Sequence, residues 1–145
     1  MKRREAREAA FLLIFEKSFR REEMSELIDI AIEGRSLELD DYARHLVDRT
    51  EERLEEIDDA ISEHLSRWKL ERLPRVTLAV LRMAICELDD FPDIPLRVTI
   101  NEALELAKRY GTEEDASYIN GVLGSYVKAK PPVKNPEAEI EAPMS

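Results

Sequence analysis

The stretch Arg72-Leu73-Pro74-Arg75-Val76-Thr77-Leu78-Ala79-Val80-Leu81-Arg82-Met83-Ala84-Ile85-Cys86-Glu87-Leu88 decides the fold class. Val76, Val80, Met83, Ala84 and Leu88 recur three or four residues apart, the spacing of one helix face and not the alternation of a strand. A proline costs nothing in a first turn, where its missing N–H would have had no partner. The spacing therefore predicts a helix with Pro74 in its first turn that runs to about Leu88. Outward from this segment, apolar residues keep the helical period almost everywhere and no alternating strand pattern occurs, so the chain reads as all-α with about six to seven helices.

Upstream, Ala6, Ala10, Leu13 and Ile14 share a face of a first helix over about 3–19, and Phe11–Phe15 is apolar all round, which points to burial on several sides. A second helix over about 23–33 ends at Gly34, read as a left-handed C-cap. From Asp40, the positions Tyr42, Leu46, Thr50, Leu54, Ile57, Ile61, Leu65 and Trp68 stay in phase, so one long helix to about 67 and two helices with a kink are both open. Downstream, Phe91–Pro95 is a loop. Thr99-Ile100-Asn101-Glu102 reads as a capping box opening a helix over about 99–110, closed by Gly111. Thr112 caps a last helix to about Lys128. Gly121 and Gly124 inside it cost about 1 kcal/mol each against alanine, and a close approach of another helix or a ligand is the expected reason. Past Lys130, four prolines and Glu137, Glu139 and Glu141 predict a disordered acidic tail over 131–145 with no part in the fold.

Charge is unevenly divided. The 145 residues carry −10, which at first argues against a polyanion ligand. Residues 1–21, however, hold seven cations against three acids, a local +4, and the remaining 124 residues carry −14. An acidic body with one basic end steers a polyanion to that end. Arg3, Arg4 and Arg7 are three and four residues apart, which puts their guanidiniums on one side of the first turns. Tyr118 and Tyr126 are candidates for an exposed aromatic on the last helix, and an aromatic beside arginines would make a platform for single-stranded RNA.

Catalytic and metal-binding chemistry is not indicated. Cys86 is the only cysteine and sits in an apolar run, and His45 and His64 have no partner at ligand spacing. Neither histidine has a nucleophile and an orienting group to form a triad, and the four glycines are too dispersed for a phosphate loop. No segment reaches about 18 apolar residues, and Met1–Glu5 lacks the features of a signal peptide, so a cytoplasmic, non-enzymatic binding protein without cofactor is expected.

Four ordered blocks resemble the NusB family of transcription antitermination factors. They are Arg4-Glu5-Ala6-Arg7-Glu8-Ala9-Ala10, the central segment Arg72–Leu88, Ile94-Pro95 with Val98–Lys108, and Tyr118-Ile119-Asn120-Gly121-Val122-Leu123. The resemblance implies two small helical bundles packed together, about 1–68 and 69–130. It implies a partner, the small-subunit ribosomal protein called NusE, with which such proteins grip boxA RNA and join the RNA polymerase antitermination complex, notably on ribosomal RNA operons. By position it assigns Arg4 and Arg7, with Lys2 and Arg3 beside them, and Tyr118 to RNA. It assigns Arg75 and Thr77, at the start of the Pro74 helix, to the partner surface. Arg82, Glu87, Glu102 and Lys108 are expected to fasten helices together, with Arg82 and Glu87 too far round the helix to face each other. Monomer and RNA-occluding homodimer are both left open.

Overall fold

Eight α-helices, one 3-10 turn and no strand are found among the described residues, 2–35 and 37–141, of a computed structural model. The helices are α1 (Arg3–Lys17), α2 (Met24–Arg35), α3 (Asp41–Glu52), α4 (Leu54–Glu63), α5 (Arg75–Asp90), α6 (Leu96–Tyr110), α7 (Glu113–Ala129) and α8 (Pro136–Glu141), and the 3-10 turn is Leu70–Arg72. The centre is α5, whose residues from Thr77 to Leu88 are all buried except Arg82. A helix apolar nearly all round needs neighbours on every side. Here α1 and α3 cover one flank of α5, α6 and α7 the other, and α4 reaches both α5 and α7. Two small bundles thus share one helix and one continuous core, in which Phe11, Leu46, Ile57, Leu81, Ile85 and Ile119 are fully buried. Each such side chain contributes about 1.5–3 kcal/mol relative to exposure.

Of the two readings of residues 40–67, the kinked one is correct. The break falls at Arg53, whose backbone leaves the helical region at φ −104°, ψ 16°. Its guanidinium reaches Asp90 at 2.9 Å and Asp89 at 3.2 Å, at the far end of α5, and Glu56 at 3.1 Å. Helix α4 then ends at Glu63, so Trp68 leaves the helical phase and stands 41% exposed.

Several boundaries differ from the sequence reading. Pro74 is the residue before the helix and not in its first turn, with ψ 143°; its carbonyl accepts from Leu78 N–H. Helix α6 starts at Leu96 behind Pro95, so Thr99 and Glu102 form no capping box: Thr99 N–H bonds Pro95 O, leaving the Thr99 hydroxyl and Glu102 for other helices. Gly34 lies within α2 and is not a left-handed cap. Gly121 and Gly124 meet no close approach, since an added Cβ at either would have nothing within 4 Å. Gly111 is the glycine that the packing requires, because a Cβ there would lie 2.5 Å from Asp115 Oδ2 and 2.9 Å from the Ala107 carbonyl. The Thr112 cap is present, with Asp115 completing a reciprocal box.

The tail is not structureless over its described part. Lys134 Nζ donates to the carbonyls of Glu87 (3.3 Å) and Phe91 (3.0 Å), and Asn135 N–H to Pro92 O. Each of these carbonyls also accepts a backbone N–H, Glu87 O from Phe91 and Phe91 O from Ile94, so the ammonium adds a second donor there and meets the negative end of the α5 dipole. Ala142–Ser145 lie outside the described residues.

Candidate nucleic-acid interface

Helix α1 carries its basic residues into three different environments. Lys2 precedes the helix and is exposed, its carbonyl accepting from Ala6 N–H. The Arg3 guanidinium lies 3.9 Å above the Tyr42 ring, a cation–π contact on an exposed side chain. Arg4 is 70% exposed and forks onto Glu102 at 3.1 Å. That carboxylate, through its hydrogen bonds and then its charge, holds the Arg4 guanidinium further above its ordinary range.

Arg7 points inward. It is 4% exposed, and its Nε donates to both oxygens of Glu87 at 2.9 and 3.0 Å, with Glu87 itself 2% exposed. The same carboxylate accepts from Tyr42 on α3 and from Thr99 Oγ1 on α6 at 2.6 Å. One buried carboxylate therefore ties α1, α3, α5 and α6 at a single point. Burial, and then the Glu87 charge, push the Tyr42 hydroxyl well above its usual range, so it stays a donor. Arg7, expected to meet RNA beside Arg4, lies buried against Glu87 instead, because desolvating a guanidinium requires a fixed counter-charge and Glu87 provides it. The three arginines do not share one face of action.

The remaining sequence assignments separate in the same way. Arg82 pairs with Asp58 at 2.8 Å through both arms and so fastens α5 to α4, and Glu102 fastens α6 to α1, as expected. Lys108, by contrast, makes no ion pair among the described residues and stays exposed. It lines a groove of about 490 Å³ between α1 and α6, where Arg4, Lys108 and Arg109 interleave with Glu8, Glu102 and Glu105. Arg75 is exposed and donates to the Ser18 carbonyl at the end of α1. Thr77, expected on the partner surface, is 1% exposed on the inner side of α5, with its hydroxyl buried and unpartnered among the described residues.

The two tyrosines of α7 part company. Tyr126 is buried and its hydroxyl donates to Asp89 at 2.6 Å, with burial the main cause of its raised titration. Tyr118 is half-buried, its hydroxyl buried without a partner, and its ring lies 5.3 Å from that of Trp68. Helix α7 packs on α4, α5 and α6, so Tyr118 is not brought against Arg3 and Arg4.

His64 Nδ1 meets Ser125 Oγ at 2.8 Å and the His45 ring lies 4.9 Å from that of Phe91, tilted by 46°; among the described residues neither is positioned by a carboxylate. Burial pushes the Cys86 thiol up to about 12, the opposite of an activated nucleophile. No cluster of three or more His, Cys, Asp or Glu is placed to hold a metal among the described residues, and no helix is long and apolar enough to cross a membrane.

Sequence reasoning passed over Tyr42, which carries Arg3, and Trp68, which covers Tyr118. Periodicity counts both as core positions. The available signal for Trp68 was its place between Arg67 and Lys69 in the basic run 66–75.

Comparison with known proteins places these features in context. The NusB family model matches residues 4–128. A transcription antitermination protein NusB from Exiguobacterium is 44% identical over 128 residues, covering 88% of this chain and 98% of the relative. Among solved structures, T. maritima NusB superposes with a TM-score of 0.80 at 37% identity, covering 98% of this chain and 99% of that one. A chain from a crystal structure of antitermination factors NusB and NusE with double-stranded RNA gives 0.79 at 32% identity, covering 88% and 96%.

Proposed function

The chain belongs to the NusB family, and from that premise we propose that it is a non-catalytic transcription antitermination factor. It binds boxA-type RNA together with the small-subunit ribosomal protein NusE and enters the RNA polymerase antitermination complex, notably on ribosomal RNA operons. The observation that carries the RNA side is the exposed basic start of α1, Lys2, Arg3 and Arg4, on a body of net negative charge. Arg4 is held by a solvent-exposed pair that a phosphate can replace, because water screens such a contact and it holds the guanidinium only weakly. Tyr118 supplies an aromatic face on α7. Arg7 acts indirectly, by fixing α1 on the core so that Arg3 and Arg4 stand at its end. On the partner side, Arg75 at the junction of α5 and α1 is the accessible member of the assigned pair.

An acidic body weakens RNA binding by the chain alone, so the partner's positive surface is part of the site. The test is a titration of boxA-type and scrambled RNA, single-stranded and as duplex, with and without NusE. BoxA-type RNA is expected to bind more tightly once the ribosomal protein is present, and Arg4→Ala to reduce the log–log salt slope by about 0.7, one phosphate on a single strand. Equal binding of boxA and scrambled RNA by the heterodimer sinks the reading. Retained partner binding with no RNA binding at all leaves a helical protein-interaction module instead.

A further inference from the structure

We propose that Trp68, backed by Tyr118 and flanked by Arg67, Lys69 and Arg72, is a second RNA contact on which an unpaired base stacks. Trp68 is the only tryptophan of the chain and one of few large apolar side chains left 41% exposed. Its ring is not loose: it lies 5.3 Å from the half-buried Tyr118 ring at 43°, so one aromatic face is supported from α7 while the indole stays open to solvent. Residues 66–75 hold four cations, Arg67, Lys69, Arg72 and Arg75, against the single acid Glu71, in a body that is otherwise acidic. Arg67, Lys69 and Arg72 are exposed and none makes an ion pair among the described residues, whereas Arg20, Arg35, Arg49, Arg53, Arg82 and Arg109 are all paired. One turn beyond Tyr118, Gly121 presents bare backbone with nothing within 4 Å of where a side chain would stand, which leaves room for a ligand to lie flat.

An exposed indole among unpaired cations suits a single-stranded nucleic acid: every base offers a π-face, and the cations meet the phosphates on either side. The same chemistry is poor for duplex RNA, whose bases are already stacked. The site is separate from the arginines of α1, because α7 packs on α4, α5 and α6 and the segment 66–75 leads to Arg75 at the opposite, C-terminal end of α1. A helix of this length spans about 22 Å, so one strand touching both ends must run along the molecule.

This inference rests on the RNA-binding reading and is tested so that the two fail separately. The full chain with NusE is titrated with single-stranded boxA-type RNA, reading Trp68 emission relative to an unlabelled buffer control and, in parallel, the anisotropy of labelled RNA. Emission is expected to be quenched along the same isotherm as the anisotropy, and the duplex form to quench less. Trp68→Ala is expected to weaken binding about 5- to 150-fold, the range for losing one stacked base, with Trp68→Phe restoring most of it. Lys69→Ala with Arg72→Ala is expected to lower the salt slope by about 1.4. If the anisotropy titrates normally while the emission stays constant and Trp68→Ala binds like the parent, the second contact is wrong and the family function stands. If Trp68 emission responds to NusE alone and not to RNA, the surface is a protein interface and the inference is overturned. If no RNA binds in any arm, the function itself falls, and the inference with it.

Discussion

Replacing Arg7 by leucine tests whether the first helix is held by a buried ion pair or merely displays another RNA contact. Arg7 and Glu87 are 4% and 2% exposed, and Glu87 takes four hydrogen bonds, two from Arg7 Nε, one from Tyr42 and one from Thr99. Removing one partner of a buried pair costs about 3–5 kcal/mol, because the other charge is left in a dry environment. Tyr42 and Thr99 still donate to Glu87 in the variant, which places the loss near the lower end, about 3 kcal/mol. At about 2–4 °C per kcal/mol for a chain of this size, Tm falls by about 6–12 °C. Urea unfolding followed by far-UV circular dichroism measures it. In the double variant Arg7→Leu with Glu87→Gln, the amide keeps one oxygen to accept from a hydroxyl and turns its NH2 to the other hydroxyl's oxygen, while the orphaned charge is gone, so part of the loss returns, with a coupling of about 1–3 kcal/mol. Below the midpoint temperature, Arg7→Leu leaves the salt slope of RNA binding unchanged, unlike Arg4→Ala. A loss under about 1 kcal/mol together with a reduced salt slope would refute the reasoning and return Arg7 to the RNA surface.

Other outcomes are fixed by single contacts. Cys86, fully buried with its thiol pushed up to about 12, should resist a thiol reagent in the native chain and react at once in denaturant; rapid native labelling contradicts the burial. Burial raises the Glu51 carboxyl above its ordinary value, so its contribution is favourable when protonated and is lost as pH rises through the folded value. Glu51→Gln should therefore be more stable than the parent at neutral pH, the gap closing as pH falls below the usual carboxylate range; a gap that grows on acidification refutes the sign. Tyr118→Phe removes a buried hydroxyl with no partner, so stability should be unchanged or slightly higher and RNA binding retained, as read by thermal melting and titration. Truncation after Lys130 removes the Lys134 contacts to the α5 carbonyls and should cost about 1 kcal/mol; an unchanged melting curve would make the strap idle.

Periodicity and composition were sufficient for the helical class, the central largely buried segment 77–88, the burial of Phe11, Leu13, Ile14 and Cys86, the cap at Thr112 and the basic start of the chain. These are properties of residues within one or two turns of each other, and local spacing encodes them. Placement of charge was a different matter. Arg4 and Arg7 are the same residue type three positions apart, yet one is 70% exposed and the other 4%, because a helix turns about 300° over three residues and α3 and α5 pack on only one side of it. Which acid completes the pair depends on Glu87, eighty residues away, and on the Tyr42 and Thr99 donors that make its burial tolerable. The same holds for Thr99, which sequence alone makes a cap and the fold makes a donor to that carboxylate, and for Lys134, read as tail and found on the end of α5. Sequence by itself determined that this chain is a helical scaffold with a basic end. Only the tertiary structure decided which cations are spent inside on holding the helices together and which remain outside to meet a polyanion, since desolvation is a property of neighbours brought together by folding.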